Sequence, residues 1–242
     1  MSTKQKSLLV LLVLALVITV MAKDKPWTEW TAKDAQKILN DSGWGQTQTF
    51  MGAAEMSAAP ISNSAAVKGG LTDATAGVNY RVRFLSAKPI RQAFLRLVML
   101  NPKATPEQND QAHQFVDTKY DQVVVIAVSY DQDGLPADNR LMMPVFQAFS
   151  GGLTSTLKNN TYLDIKGGQR VFLQEYKPPS SDGLGARFIF PRIVNDKPIL
   201  DPKSGEVRFY AEFPKPGGRD QQVVLNLRFK VSDMMYDSVM EY

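Results

Sequence analysis

The chain has 242 residues, a formal net charge of +4, one histidine and no cysteine. Without cysteine there is no disulfide framework, thiol nucleophile or zinc–thiolate site, so folding must rest on a hydrophobic core. The length accommodates such a core as one decorated domain, and the small charge argues against nucleic acid or an acidic membrane surface as partner.

Lys4 and Lys6 precede an apolar run from Leu8 to Ala22, which ends at Lys23-Asp24-Lys25-Pro26. The run is 15 residues long, whereas a helix needs about 20 apolar residues to cross a bilayer. A basic start, a short apolar stretch and the Val20-Met21-Ala22 ending read as a signal peptide cut after Ala22, which makes the remainder periplasmic or secreted. The competing reading keeps residues 8–22 as an anchor in the inner membrane, with Lys4 and Lys6 inside. Cleavage removes both lysines and lowers the charge from +4 to +2.

From Trp27 to Trp44 the pattern predicts a helix of about three turns. Thr31 followed by Asp34 resembles a capping box, Ala35, Ile38 and Leu39 share one face, and Gly43 offers a left-handed cap. Trp27, Trp30 and Trp44 are all the tryptophans of the chain. They read either as a ligand platform or as pins that hold this helix to the body, and the burial habits of aromatic side chains favour pins. Residues 53–78, rich in Ala, Ser, Gly and Thr, read as a loop or linker.

Asn79–Phe84 alternates with Tyr80, Val82 and Phe84 on one face and reads as a strand. Lys88–Asn101 changes period, placing Ile90, Phe94, Leu97 and Val98 on one helical face while Arg91 and Arg96 point elsewhere. Thr105-Pro106-Glu107-Gln108 starts a second helix to about Lys119. Gln122–Tyr130 is a continuous apolar run, as in a strand covered on both faces. Met142–Phe149 fits a helix or a buried strand, and Pro144 weakens the helix. Gln169–Tyr176 and Ala186–Phe190 are further strands separated by the Pro178–Gly183 loop. Glu206–Phe213 and Gln222–Val231 alternate strictly, with Val207, Phe209, Ala211, Phe213, Val223, Leu225, Leu227, Phe229 and Val231 on the core side.

These elements predict an α+β fold: a mainly antiparallel, sandwich-like body with two or three helices, preceded by the signal peptide or an N-terminal membrane helix. The expected segments are 1–22 for the signal, 23–52 for the N-terminal helix and lead-in, 53–78 for the loop and 79–242 for the body.

No catalytic grammar emerges. His113 sits on a predicted helix among polar residues and reads as a surface side chain, and neither a serine nor a cysteine triad can be assembled around it. Asp131-Gln132-Asp133-Gly134 begins like a calcium loop but lacks its third acidic position and closing glutamate, so a strand-ending turn explains it better. Gly151-Gly152, Gly167-Gly168 and Gly217-Gly218 are isolated pairs and read as turns rather than phosphate loops. No metal or cofactor is predicted. The dipeptide Arg-Phe recurs at Arg83, Arg187, Arg208 and Arg228, each inside a strand. Were those strands neighbours, the arginines would line one face and hold an anionic ligand. The alternation itself is routine for half-buried strands, with arginine in solvent and phenylalanine in the core.

The Trp27–Trp44 stretch, the Asp182–Arg192 segment with its Phe190-Pro191-Arg192, the Ser204–Phe209 segment and the Phe229–Tyr236 segment with its Asp233-Met234-Met235-Tyr236 together resemble a group of uncharacterised exported proteins from acidobacterial-type bacteria. The resemblance spans most of the chain after residue 22. It implies export and a shared fold, and it supplies no activity and no site residues.

The functional expectation is an exported envelope protein acting as a non-catalytic binding or interaction module. Its interaction surface is drawn from Trp27, Trp30, Trp44, Arg83, Arg187, Arg208 and Arg228, and its partner is an envelope protein or an anionic ligand. The alternatives are a hydrolase using a carboxylate pair from Asp131, Asp133, Glu175 and Glu212, or a membrane-anchored accessory subunit.

Overall fold

Two helices start by the same device. The Thr31 hydroxyl accepts from the Asp34 amide at 3.2 Å while the Asp34 carboxylate accepts from the Thr31 amide at 2.8 Å. Thr105 and Gln108 repeat the exchange at 3.2 and 3.0 Å, so each start satisfies two amides that a helix otherwise leaves orphaned. In the computed structural model, which describes residues 25–51, 77–132, 139–213 and 223–242, these become α1 (Ala32–Asn40) and α3 (Pro106–Asp117), with α2 (Lys88–Leu100) between them. Two more, α4 (Asn139–Ser150) and α5 (Thr154–Leu157), raise the α-helices among the described residues to five, where the sequence predicts two or three. The predicted signal segment 1–22, Asp133, Gly217-Gly218 and nearly all of the predicted loop 53–78 lie outside the described residues.

The strands in chain order are β1 (Gly45–Met51), β2 (Gly77–Phe84), β3 (Val123–Gln132), β4 (Thr161–Ile165), β5 (Arg170–Phe172), β6 (Glu175–Lys177) and β7 (Ala186–Pro191). They continue with β8 (Ile193–Val194), β9 (Lys197–Pro198), β10 (Glu206–Glu212), β11 (Val224–Lys230), β12 (Met235–Tyr236) and β13 (Val239–Met240). A five-stranded sheet runs β1-β2-β3-β7-β6 and a four-stranded sheet runs β11-β10-β4-β5, every pairing antiparallel. The fold is α+β with a sheet-rich body. Because β1 pairs with β2 along its whole length, residues 45–51 belong to the body rather than to a lead-in, and β2 begins two residues inside the predicted loop.

The two sheets face each other across an aromatic core. Phe84 meets Phe229 edge-on at 5.0 Å, and Phe188 meets Phe209 at 5.3 Å. Each phenylalanine of the four Arg-Phe dipeptides is fully buried there, and each contributes on the order of 1.5–3 kcal/mol by leaving water. Phe149 of α4 closes one end of the sandwich against Tyr80, Tyr130 and Phe213. Pro144 lies inside this helix; burial of Val145, Ala148 and Phe149 outweighs the one backbone bond that proline removes.

On the outer face of the five-stranded sheet α1 packs against β1 and β2, α2 packs against α1, and α3 against α2. Here the structure corrects the predicted orientation of α2: Arg91 is buried rather than turned outward, while Phe94, Leu97 and Val98 are only half-buried. Its guanidinium donates to the carbonyls of Val116, Leu85 and Ser86 and lies 5.0 Å from the Tyr120 ring centre. Val116 stands in the last turn of α3, whose carbonyls have no partner within the helix. Arg91 therefore does the work of a C-terminal cap from a neighbouring helix.

Two further expectations change. Gly43 is not a left-handed cap, since α1 ends at Asn40 with Asp41 at its C-cap and Gly43 is absent from the positive-φ glycines. It is glycine because a Cβ there would stand 2.1 Å from the Asp233 carbonyl oxygen. The single strand predicted over 169–176 is two strands: β5 pairs with β4, β6 pairs with β7, and the chain changes sheets at Leu173-Gln174. The amide of Leu173 reaches the Thr161 carbonyl in one sheet, and that of Gln174 reaches the Ile189 carbonyl in the other.

On the opposite side the sandwich is closed by side chains. The Gln48 amide group donates to the Val224 carbonyl at 3.0 Å and its oxygen accepts from the Asn226 amide at 2.9 Å, while Gln46 donates to the Arg228 carbonyl at 2.8 Å. Two glutamines of β1 thus occupy the backbone groups along the edge of β11 that a fifth strand of that sheet would otherwise pair, and an unprotected edge is an aggregation template.

Candidate ligand-binding face

Strand alternation dictates where the four arginines go. Arg83 and Arg187 lie in one cross-strand row on the outer face of the five-stranded sheet, on either side of Ala127. Arg208 and Arg228 pair directly on the outer face of the four-stranded sheet. Since the phenylalanines of all four dipeptides point into the sandwich, the arginines divide two and two between opposite faces.

The first pair is committed to the protein. Arg83, 6% exposed, donates to the Leu39 carbonyl at 3.0 Å, to Ser129 at 2.9 Å and to Asn40 at 2.8 Å. Burial first, and then the like charge of Arg81, push its pKa down to about 10 against the opposing influence of Asp131. Arg187 binds Ser180 at 2.9 Å and is paired with Asp182. The tryptophans are committed too. Trp30 and Trp44 are buried and Trp27 is half-buried; the indole of Trp30 donates to the Lys25 carbonyl at 3.1 Å and that of Trp44 to Glu241 at 2.8 Å. They pin α1 and its flanks to the body.

The second pair belongs to a different environment. Register across the four strands aligns Arg170, Asp164, Arg208 and Arg228 in one row, and Phe172, Tyr162, Tyr210 and Asn226 in the row beside it. Asp164 is shared, lying 2.7 Å from Arg208 and 3.6 Å from Arg170. Arg228 stands 3.7 Å from Glu206, with 62% of its side chain exposed. Tyr162 is the centre of a stack: Tyr210 lies parallel to it at 4.9 Å, the Arg170 guanidinium is 4.0 Å from its ring centre, and Phe172 meets it edge-on at 5.9 Å. Tyr210 donates to Glu212 at 2.9 Å, and burial followed by that carboxylate pushes its pKa up to about 12, so it remains a neutral hydroxyl at any physiological pH.

While α1 packs against β1 and β2 of the other sheet, no helix among the described residues packs on this face, and Phe172 is 49% exposed. Chemically it offers planar guanidinium forks beside aromatic edges, all held in place by the sheet. It offers no nucleophile–base pair. Sequence reasoning placed Arg208, Tyr210 and Arg228 on the outward side of their strands but missed Tyr162, Asp164, Arg170 and Phe172, because the rows are joined only through the pairing of β4 with β10, between residues 44 and 48 positions apart along the chain.

The other candidate residues do not converge. Asp131 forms an ion pair with Arg81 at 2.7 Å and Glu175 one with Lys177 at 3.6 Å, both on the five-stranded sheet, whereas Glu212 lies on the four-stranded one. Glu175 is aligned with Ile189 and Val125, six residues along β3 from Asp131, so these two carboxylates stand about 20 Å apart at 3.3 Å per residue. None of the three faces another across a 5–10 Å cleft of the kind glycosidases use. His113 is exposed on α3. Among the described residues no group of three or more His, Cys, Asp or Glu is placed to hold a metal ion, and no helix is long and apolar enough to cross a membrane. No family model, curated protein or solved structure matches the chain.

Proposed function

We propose that the protein is a non-catalytic binding module of the cell envelope, exported by way of residues 1–22, which takes an acidic segment of a protein partner on the open face of its four-stranded sheet. The observation that carries this reading is the pair of rows on that face, Arg170–Asp164–Arg208–Arg228 beside Phe172–Tyr162–Tyr210. Arginine, tyrosine and other large aromatics dominate the energetics of protein interfaces, and the guanidinium fork matches a carboxylate in two parallel hydrogen bonds. Three arginines share Asp164 and a loose contact to Glu206, so donors remain for an incoming anion. The apolar stretch of residues 8–22 and the resemblance to exported proteins support the address.

Titration of a fluorescent oligo-glutamate peptide against the chain tests the reading. Arg208→Gln and Phe172→Ala should each weaken binding about tenfold, corresponding to about 1.4 kcal/mol, and raised salt should weaken it further. Binding that is absent from the unaltered chain, or unchanged from it in both variants, removes the open face from consideration; binding of an oligo-uronate in place of the peptide reassigns the partner to an acidic polysaccharide. Intact-mass measurement of the native protein tests export: a mature N-terminus at Lys23 supports cleavage and rules out the anchor.

A further inference from the structure

Beyond the edge of that sheet, the turn joining β4 to β5, the β8–β9 hairpin and the 201–204 turn enclose a groove of about 470 Å³, within the roughly 300–1,000 Å³ of small-molecule sites. Lys166, Lys197 and Lys203 line it, and none of the three has an ion-pair partner among the described residues. Asp201 is the one acid in the lining. Its carboxylate is occupied by its own turn, accepting from the Lys203 amide at 2.6 Å. Ile165 and Ile199, both buried, supply an apolar wall. The hairpin that carries Lys197 is fixed by Asn195 and Asp196 at φ 52° and 58°, a left-handed turn that these two residue types tolerate, and by the Ile199 amide, which reaches the Arg192 carbonyl at 2.9 Å.

Three lysines against the one carboxylate leave the concavity with an excess of positive charge, and an anion of two or more charges offsets it. The residue type distinguishes the anion from the one the open face would take. Lysine is a point charge with rotatable donors, suited to tetrahedral oxygens, while planar carboxylate recognition favours arginine. No arginine lines this groove. We infer that the groove is a binding site for a multiply charged phosphate, with Lys166, Lys197 and Lys203 on the phosphate oxygens and the Ile165–Ile199 wall against any carbon skeleton it carries. The site does not depend on the open face, since neither Arg208 nor Arg228 contributes to it.

Isothermal titration calorimetry of the full chain with pyrophosphate reads the site directly. The expected result is binding that weakens about tenfold in Lys197→Gln/Lys203→Gln, from the loss of two surface charge pairs, and that is unchanged in Arg208→Gln. Melting curves of each variant verify that the fold persists. Glycerol phosphate, the chemistry of a lipid headgroup, separates the sources: lysine-dependent binding of both ligands admits a headgroup, and binding of pyrophosphate alone points to a free polyphosphate. Absence of pyrophosphate binding by the unaltered chain, or equal binding by the double lysine variant, overturns the inference.

Discussion

Gln48→Ala is the sharpest test of how the sandwich is held shut. Gln48 is 7% exposed, and truncating it strips partners from two backbone groups at once, the Val224 carbonyl and the Asn226 amide. A buried polar group left without a partner costs about 1–3 kcal/mol, so the pair predicts a loss of about 2–4 kcal/mol, with water entering from the exposed side setting the lower end. At about 2–4 °C per kcal/mol for a protein of this size, the midpoint should fall by about 4–16 °C. Thermal and urea unfolding measure both quantities. Gln46→Ala is the internal standard, because it removes one exposed hydrogen bond worth about 0.5–1.5 kcal/mol. Gln48→Glu separates geometry from size: as a carboxylate it sets an oxygen against the Val224 carbonyl, and as a carboxylic acid it donates again. Its folded pKa is then raised above the unfolded value of about 4.3, so the penalty is complete above the folded pKa, shrinks as pH falls through it, and is gone below about pH 4. A Gln48→Ala cost no larger than that of Gln46→Ala, or a Gln48→Glu deficit independent of pH, would refute the argument.

Phe209→Ala removes a fully buried ring that touches Phe188 and Phe190 and should cost about 3–5 kcal/mol, read as a shift in the urea midpoint with the slope unchanged. Gly185→Ala should be at least as damaging as an ordinary core truncation and should lower soluble yield. Gly185 has φ 87°, and a Cβ there meets the Val128 carbonyl oxygen at 2.2 Å. Asp182→Asn tests a proton linkage. Burial raises the Asp182 pKa, but the Leu184 amide, Ser180 and Arg187 outweigh it and hold the carboxyl below the usual range. A depressed carboxylate stabilises the fold above its unfolded pKa of about 3.9 and loses that contribution as pH falls through the folded value. The variant should therefore match the unaltered protein in strong acid and fall behind it above about pH 4, in unfolding followed by circular dichroism.

What the sequence revealed follows from the range over which each cause acts. Glu206–Phe213 and Val223–Val231 could be read because one apolar face against one wet face imposes period two, a signal carried by every residue of the strand. The two capping boxes could be read because all four of their hydrogen bonds close within three residues. Arg91 was misplaced because its role is to satisfy carbonyls that belong to α3 and to the turn at Leu85-Ser86, and nothing in the pattern of α2 records that demand. The run 169–176 looked like one strand because both halves are extended, although the change of sheet at Leu173-Gln174 depends on partners from β4 and β7. The open face was half visible for the same reason: outward alternation marks Arg208 and Tyr210, while the stack of Arg170 on Tyr162 on Tyr210 needs three strands in register.

The closure beside β1 also bears on the order in which the molecule can assemble. Gln48 is bound to residues 176 and 178 positions further along the chain, and the Trp44 indole to one 197 positions away. A polypeptide is made from its N-terminus, so the first strand and first helix emerge long before the segment that secures them. Contacts of such separation fold slowly, and until residues 224–242 arrive the nascent β1–β2 ribbon must wait with one margin incomplete. Truncations that end before Val224 should therefore leave the N-terminal half protease-sensitive, however much of its own sheet has been synthesised.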